Sequence, residues 1–278
     1  MFRRSLIWSL VCTGMIAGSA VMVGCSEAPQ VETTVDGGTA TSEATVAAVQ
    51  PDLTAVPERD GSQTNTAARA KELFATIVRA AESSDADAWT NAEGQLQALG
   101  LAAIPALTDR LGDSNPIARE LAAMFLAQLG PDAAPAAEGL LKLLDDESTF
   151  ARVNAAAALS TFEGFAERVT PVLVALLADE DTNVRITAAT SLRNVSPSGR
   201  DALRALSQSL ADTDSRVRAA AAVTLGELGT LATSSLASLR RLDGDEDEQV
   251  RSAASRAIKQ IDPTTRSAPV TIPASATE

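Results

Sequence analysis

An aspartate and an arginine recur together at a fixed interval through half of this chain. The aspartates are Asp113, Asp146, Asp179, Asp212 and Asp245; six residues after each comes Arg119, Arg152, Arg185, Arg218 or Arg251. A carboxylate and a guanidinium can bind a charged ligand, or they can join each other in a bidentate, charge-assisted hydrogen bond. Five copies favour the second chemistry, because a ligand site needs only one. An arginine in the first turn of a helix also stands against the positive end of the dipole, so its repeated return demands a specific partner. The pattern therefore predicts a structural ladder of ion pairs, within a repeat or across to the next.

Other chemistry is scarce. Histidine is absent, which removes the commonest general base and zinc ligand, and the two cysteines, Cys12 and Cys25, both lie near the N-terminus. A disulfide-stapled fold is excluded. The formal charge of −13 argues against non-specific nucleic-acid binding, which runs on neutralising phosphates. The acidic run at 243–248 resembles the start of a calcium loop, but it offers Glu248 where the loop needs glycine and Ala254 where it needs a bidentate glutamate. It reads instead as a solvated turn. No carboxylate pair is marked out by a setting that would shift its pKa, and no nucleophile elbow or phosphate-binding loop occurs. These observations predict a non-catalytic protein with no cofactor and no metal.

The elements that position the ladder follow from its period. Each step is 33 residues without insertion, so residues 113–261 form one repeat array. Apolar residues recur inside each copy at steps of three and four, the helical period, and nothing alternates as a strand would. The first of two helices in each copy starts after a capping residue such as Ser148, Asp181, Asp214 or Asp247. In mid-helix it carries a small pair: Ala122-Ala123, Ala155-Ala156, Ala188-Ala189, Ala221-Ala222 and Ala254-Ser255. A turn such as Gly130-Pro131, Ser196-Pro197 or Gly229-Thr230 ends it, and a second helix follows with Leu140, Leu141 and Leu144, or Leu173, Val174 and Leu177. Neither helix can hide its apolar stripe alone, so the pairs must stack into an all-α fold, an α-solenoid or superhelix. A degenerate leading copy spans 85–111, and Trp89 within it reads as core or cap rather than a binding anchor.

The segment from Asp212 to Leu225, Asp-x4-Val-Arg-x2-Ala-Ala-x2-Leu, resembles the short HEAT-like repeat also called the phycobilisome-lyase type. Ankyrin and tetratricopeptide repeats fit worse, since their Thr-Pro-Leu-His and Trp/Tyr positions are empty here. The resemblance implies an interaction scaffold with protein partners, and second helices lining a concave face. On that face Glu138, Lys142, Arg168, Asp201, Arg204, Gln208 and Arg241 point away from the apolar stripe, mixed in sign but leaning basic. They form the candidate protein-binding surface, suited to an acidic partner segment; a solvated face without a partner is the plain alternative. Two further readings stay open: an enzyme or accessory of the bilin-lyase type, and a structural component that self-associates through its ends.

The N-terminus supplies a location. Arg3 and Arg4 precede an uncharged apolar run, then Val23-Gly24-Cys25-Ser26, which resembles the lipobox of bacterial lipoproteins with Met22 in the usual leucine position. The resemblance implies cleavage after residue 24 and lipidation of Cys25, hence a membrane attachment through lipid. An ordinary secretory signal, a single membrane anchor and a twin-arginine signal are the alternatives. Ser26 after the cysteine resembles the arrangement that sends lipoproteins to an outer membrane. The expected organisation is a signal peptide at 1–24, a lipidated cysteine and disordered linker at 25–65, the repeat domain at 66–261 and a disordered tail at 262–278. The expected location is the cell envelope, facing the periplasm.

Overall fold

The structure is a computed structural model that describes residues 61–195 and 200–264. The signal, Cys25, nearly all of the linker, the Ser196-Pro197 turn and the tail beyond residue 264 lie outside the described residues. The described elements are helices, with no strand among them. In chain order these are α1 (Gly61–Ser83), α2 (Ala86–Leu99), α3 (Ile104–Thr108), α4 (Pro116–Leu129), α5 (Ala137–Leu143), α6 (Thr149–Ser160), α7 (Ala166–Leu176), α8 (Thr182–Ser191), α9 (Arg200–Ser209), α10 (Ser215–Glu227), α11 (Leu236–Arg241) and α12 (Glu248–Ile261). Helix α1 begins five residues ahead of the expected start at Thr66. Among the described residues no helix is long and apolar enough to cross a membrane.

Helices α4, α6, α8, α10 and α12 are the first helices of successive copies, and each is started by a side chain. Asn115, Ser148, Asp181, Asp214 and Asp247 sit in extended backbone and accept N–H groups of the first turn. Asn115 is a cap that the sequence reading did not single out. Glycines end α4 and α10: Gly130 and Gly229 hold positive φ of 63° and 57°, a backbone that side chains resist. The chain then runs through 3-10 turns, Gly130–Ala136 and Gly229–Ser235, into the short second helices α5 and α11. The second copy differs. Its left-handed glycine, Gly164, falls one repeat position later than Gly130 and Gly229, and α7 then forms at once as an 11-residue helix containing Pro171.

The core sits between neighbouring first helices. Leu126, Leu159, Leu192 and Leu225, one per copy, are wholly buried, each a contribution of about 2 kcal/mol. The alanine pairs are buried with them from Ala122 to Ala222, and their size lets backbones approach until side chains bond across the gap. Asn154 donates to the Glu120 carbonyl and Thr224 to the Ala189 carbonyl, each at 3.1 Å. Gly226 shows how close the approach is: a Cβ there would lie 2.8 Å from Ala257 Cα of α12. At the leading end Phe125 of α4 meets Phe74 of α1 edge-on and stacks on Trp89 of α2, whose Nε1 donates to Glu93, so Trp89 is core.

Both ends of the array are polar. Helix α1 exposes Arg69, Lys71, Glu72 and Arg79, of which Arg69 turns to Gln95 of α2 and Lys71 to Asp109, and α12 exposes Gln249, Ser252, Arg256 and Lys259. Such faces close a repeat stack to water.

Candidate functional site

Three rungs of the expected ladder are closed. Arg119 donates through Nε and Nη2 to the two carboxylate oxygens of Asp146, at 2.7 and 3.0 Å. Arg185 grips Asp212 with both contacts at 2.9 Å, and Arg218 grips Asp245 at 2.8 Å. Each rung joins a first helix to the turn that opens the next copy, 27 residues on. The six side chains are only 8–17% exposed, which limits screening by salt.

Each member has a second duty. Arg119, Arg185 and Arg218 also donate Nη1 to the carbonyls of Asp113, Asp179 and Asp212, the aspartates of their own copies, all at 2.9 Å. The guanidinium thus turns toward the loop carbonyls and away from the positive helix end, which reconciles a first-turn arginine with the dipole. Every repeated aspartate in turn accepts the N–H two residues ahead: Asn115, Ser148, Asp181, Asp214 or Asp247, the capping residue of the next helix. One carboxylate therefore fixes both the cap and the neighbouring copy.

This geometry keeps the rung carboxylates ionised. The Arg119 guanidinium holds Asp146 below its ordinary value against the opposing pull of burial, helped by the Ser148 N–H; Arg218 does the same for Asp245. At Asp212 burial is the largest influence and pushes upward, yet Arg185 and the Asp214 N–H bring the group below its usual range. The same bonds raise Arg119, Arg185 and Arg218. Asp113, with no arginine 27 residues before it, is lowered first by the Asn115 N–H and then by Arg110.

One internal rung is open. Arg152 bonds the Asp146 and Glu147 carbonyls and turns Nη2 to Thr149 Oγ1, making no ion pair among the described residues. Asp179 accepts the Asp181 N–H and receives no guanidinium. The expected pairing of Arg152 with a neighbouring carboxylate is thus not made, although its residues and spacing match the others; between the two groups lies a cleft of about 460 Å3. At the C-terminal end Arg251 bonds the Asp245 and Glu246 carbonyls. Within 243–248, Asp245 is engaged by Arg218 and Asp247 caps α12.

The seven residues of the candidate binding strip are all exposed on or beside second helices: Glu138 and Lys142 on α5, Arg168 on α7, Asp201, Arg204 and Gln208 on α9, Arg241 on α11. Two pairs are internally neutralised, Lys142 with Glu138 at 3.6 Å and Arg204 with Asp201 at 3.0 Å. Arg168 and Arg241 have no such partner among the described residues. A second, larger groove of about 710 Å3 runs between α1 and α2, with Arg69, Arg79, Asn91 and Gln95 on its walls and Phe74 beneath. It escaped the sequence reading because the leading copy departs from the repeat.

The sequence pattern of HEAT repeats matches residues 104–193 and 169–259. The chain belongs to the HEAT-repeat family. Among solved structures it is similar to an engineered protein from the Northeast Structural Genomics Consortium, 24% identical over 75% of this chain and 93% of that one, with a TM-score of 0.47. It is also similar to the complex of CpcE and CpcF of phycocyanin lyase from Nostoc sp. PCC7120, 28% identical over 56% of this chain and 98% of that one, TM-score 0.42. A designed armadillo repeat protein in complex with the peptide (KR)4 is 19% identical, with coverages of 69% and 99% and a TM-score of 0.48. No curated protein matches the chain. The HEAT family places this chain among α-solenoids.

Proposed function

We propose that this HEAT-repeat protein is a non-catalytic scaffold that binds other proteins through the exposed faces of its second helices. One observation carries the reading. Three rungs of the recurring Asp–Arg chemistry are consumed in joining copies, whereas the charges of the second helices, from Glu138 to Arg241, face solvent. A stack of short helix pairs offers an extended surface rather than a single enclosed centre, which suits it to a partner segment. The exposed polar side chains of α12 favour this over growth by end-to-end self-association.

The lipobox-like run ending at Cys25 supports a lipid-anchored protein held at a bacterial membrane, the outer membrane favoured, with the array facing the periplasm. The test of binding is charge reversal. Arg204→Glu with Arg241→Glu should cut recovery of envelope proteins in a pull-down with the full chain, while leaving its helicity intact. Unchanged recovery with both substitutions would refute the role given to this strip.

A further inference from the structure

The open rung sits on a line of side chains that differs from the other copies. Helical spacing puts Arg168, Val172 and Ala175 on one stripe of α7, with Pro171 beside Val172 and Asp179 just past the helix end. At the positions equivalent to Pro171 the other second helices carry Glu138, Arg204 and Ala237; at those equivalent to Ala175 they carry Lys142, Gln208 and Arg241. In this copy alone the two positions together hold no charged or amide side chain. Pro171 and Ala175 are exposed, and with Val172 they line the cleft whose rims are Arg152 and Asp179. An apolar floor with a charged rim is the anatomy of a protein contact.

We propose that this cleft is the docking notch for an extended segment of a partner protein that pairs an acidic side chain with an apolar one. The proposal rests on the protein-binding reading above and narrows it to one place and one chemistry. Charge complementarity selects the occupant. Arg152 retains an Nε that in the closed rungs is given to aspartate, and Arg168 stands unpaired among the described residues at the other end of the stripe. On the rims Arg152 faces Asp179, and the unspent Nε of Arg152 and the guanidinium of Arg168 beyond the cleft are the donors left for an incoming carboxylate. From Arg168 to Ala175 the stripe runs about 10 Å, the length of roughly three extended residues. A carboxylate on an arginine and an apolar side chain two or three residues away on Val172 and Ala175 match that length. Asp179 stays free to take a backbone N–H of the same segment.

The experiment selects random heptapeptides from a phage library against the full chain, then measures the selected peptides by fluorescence anisotropy. Ala175→Glu is the principal variant, because Ala175 is exposed and the change leaves the rungs and core untouched; Arg152→Gln is the second, with thermal melts confirming folding. The expected peptides carry Asp or Glu two or three residues from Leu, Ile or Phe. Their affinity falls roughly tenfold in Ala175→Glu, the weight of one charge-assisted contact, falls likewise in Arg152→Gln, and is unchanged in Arg256→Glu, an exposed site on α12 outside the second helices. Selected peptides that are basic, or that bind Ala175→Glu undiminished, overturn the proposal. Peptides lost on Arg204→Glu instead overturn the notch and leave the broader binding reading standing, whereas failure to select any binder overturns both. Self-association of the chain that disappears in Ala175→Glu would assign the notch to a second copy and likewise overturn the proposal.

Discussion

The same substitution made at a closed rung and at the open one should have very different costs. In Asp245→Asn the new amide keeps an oxygen for the Asp247 N–H but loses the charge that answers Arg218, whose side chain is only 10% exposed. Two ion-pair bonds at 2.8 Å become at best one bond to a neutral amide oxygen, and a largely shielded guanidinium keeps only the exposed Glu246 carboxylate, 3.8 Å away. The expected loss is about 2–3 kcal/mol. Asp179→Asn removes a charge that no arginine holds, keeps the oxygen for Asp181 N–H, and should cost under about 0.5 kcal/mol. Urea unfolding followed by circular dichroism at neutral pH reads the difference as a shift in midpoint. The pH dependence follows from the lowered folded value of Asp245. Its contribution is fully present above the unfolded carboxylate value of about 3.9 and is lost as pH falls through the lower folded value. The parent and Asp245→Asn should therefore converge in strong acid and separate as pH rises. Equal costs at positions 179 and 245, or a gap that widens on acidification, would refute the account of the rungs.

Two other expectations concern packing and location. Gly226→Ala places a Cβ against the backbone of Ala257 and beside Gln260, so α10 and α12 must move apart; the unfolding free energy should fall by about 1–3 kcal/mol, and urea unfolding measures it. Cys25→Ser should abolish incorporation of labelled palmitate and shift the protein from the membrane fraction to the soluble one; labelling equal to the parent's would remove the lipid anchor.

Much of the fold was legible because a fixed period makes local signals repeat. The alanine pairs from Ala122 to Ala222 marked helices that approach closely, and the structure buries them. Ser148, Asp181, Asp214 and Asp247 marked helix starts because a short polar side chain can answer free N–H groups. The second helices proved shorter than their leucines suggested, since the proline and glycine turns wind as 3-10 helix before α5 and α11. The site was less legible. Arg152 and Asp179 are spelled like the closed rungs, and only distances in space distinguish them. The available signal was indirect: Gly164 one position late, and Pro171 and Ala175 where neighbouring copies carry long side chains. A repeat pattern rewards attention to what recurs, whereas this feature lies in what does not.

Removing one whole copy tests most directly whether the chain is a stack held by its neighbours. Excision of residues 179–211 would bring Asp212 to the position 27 residues after Arg152 and set α10 against α6, restoring the same small-residue contact in a shorter array. The account predicts a folded, helical protein whose ellipticity falls in proportion to the residues removed and which still unfolds cooperatively in urea. A shortened chain that fails to fold, despite the preserved register, would contradict it.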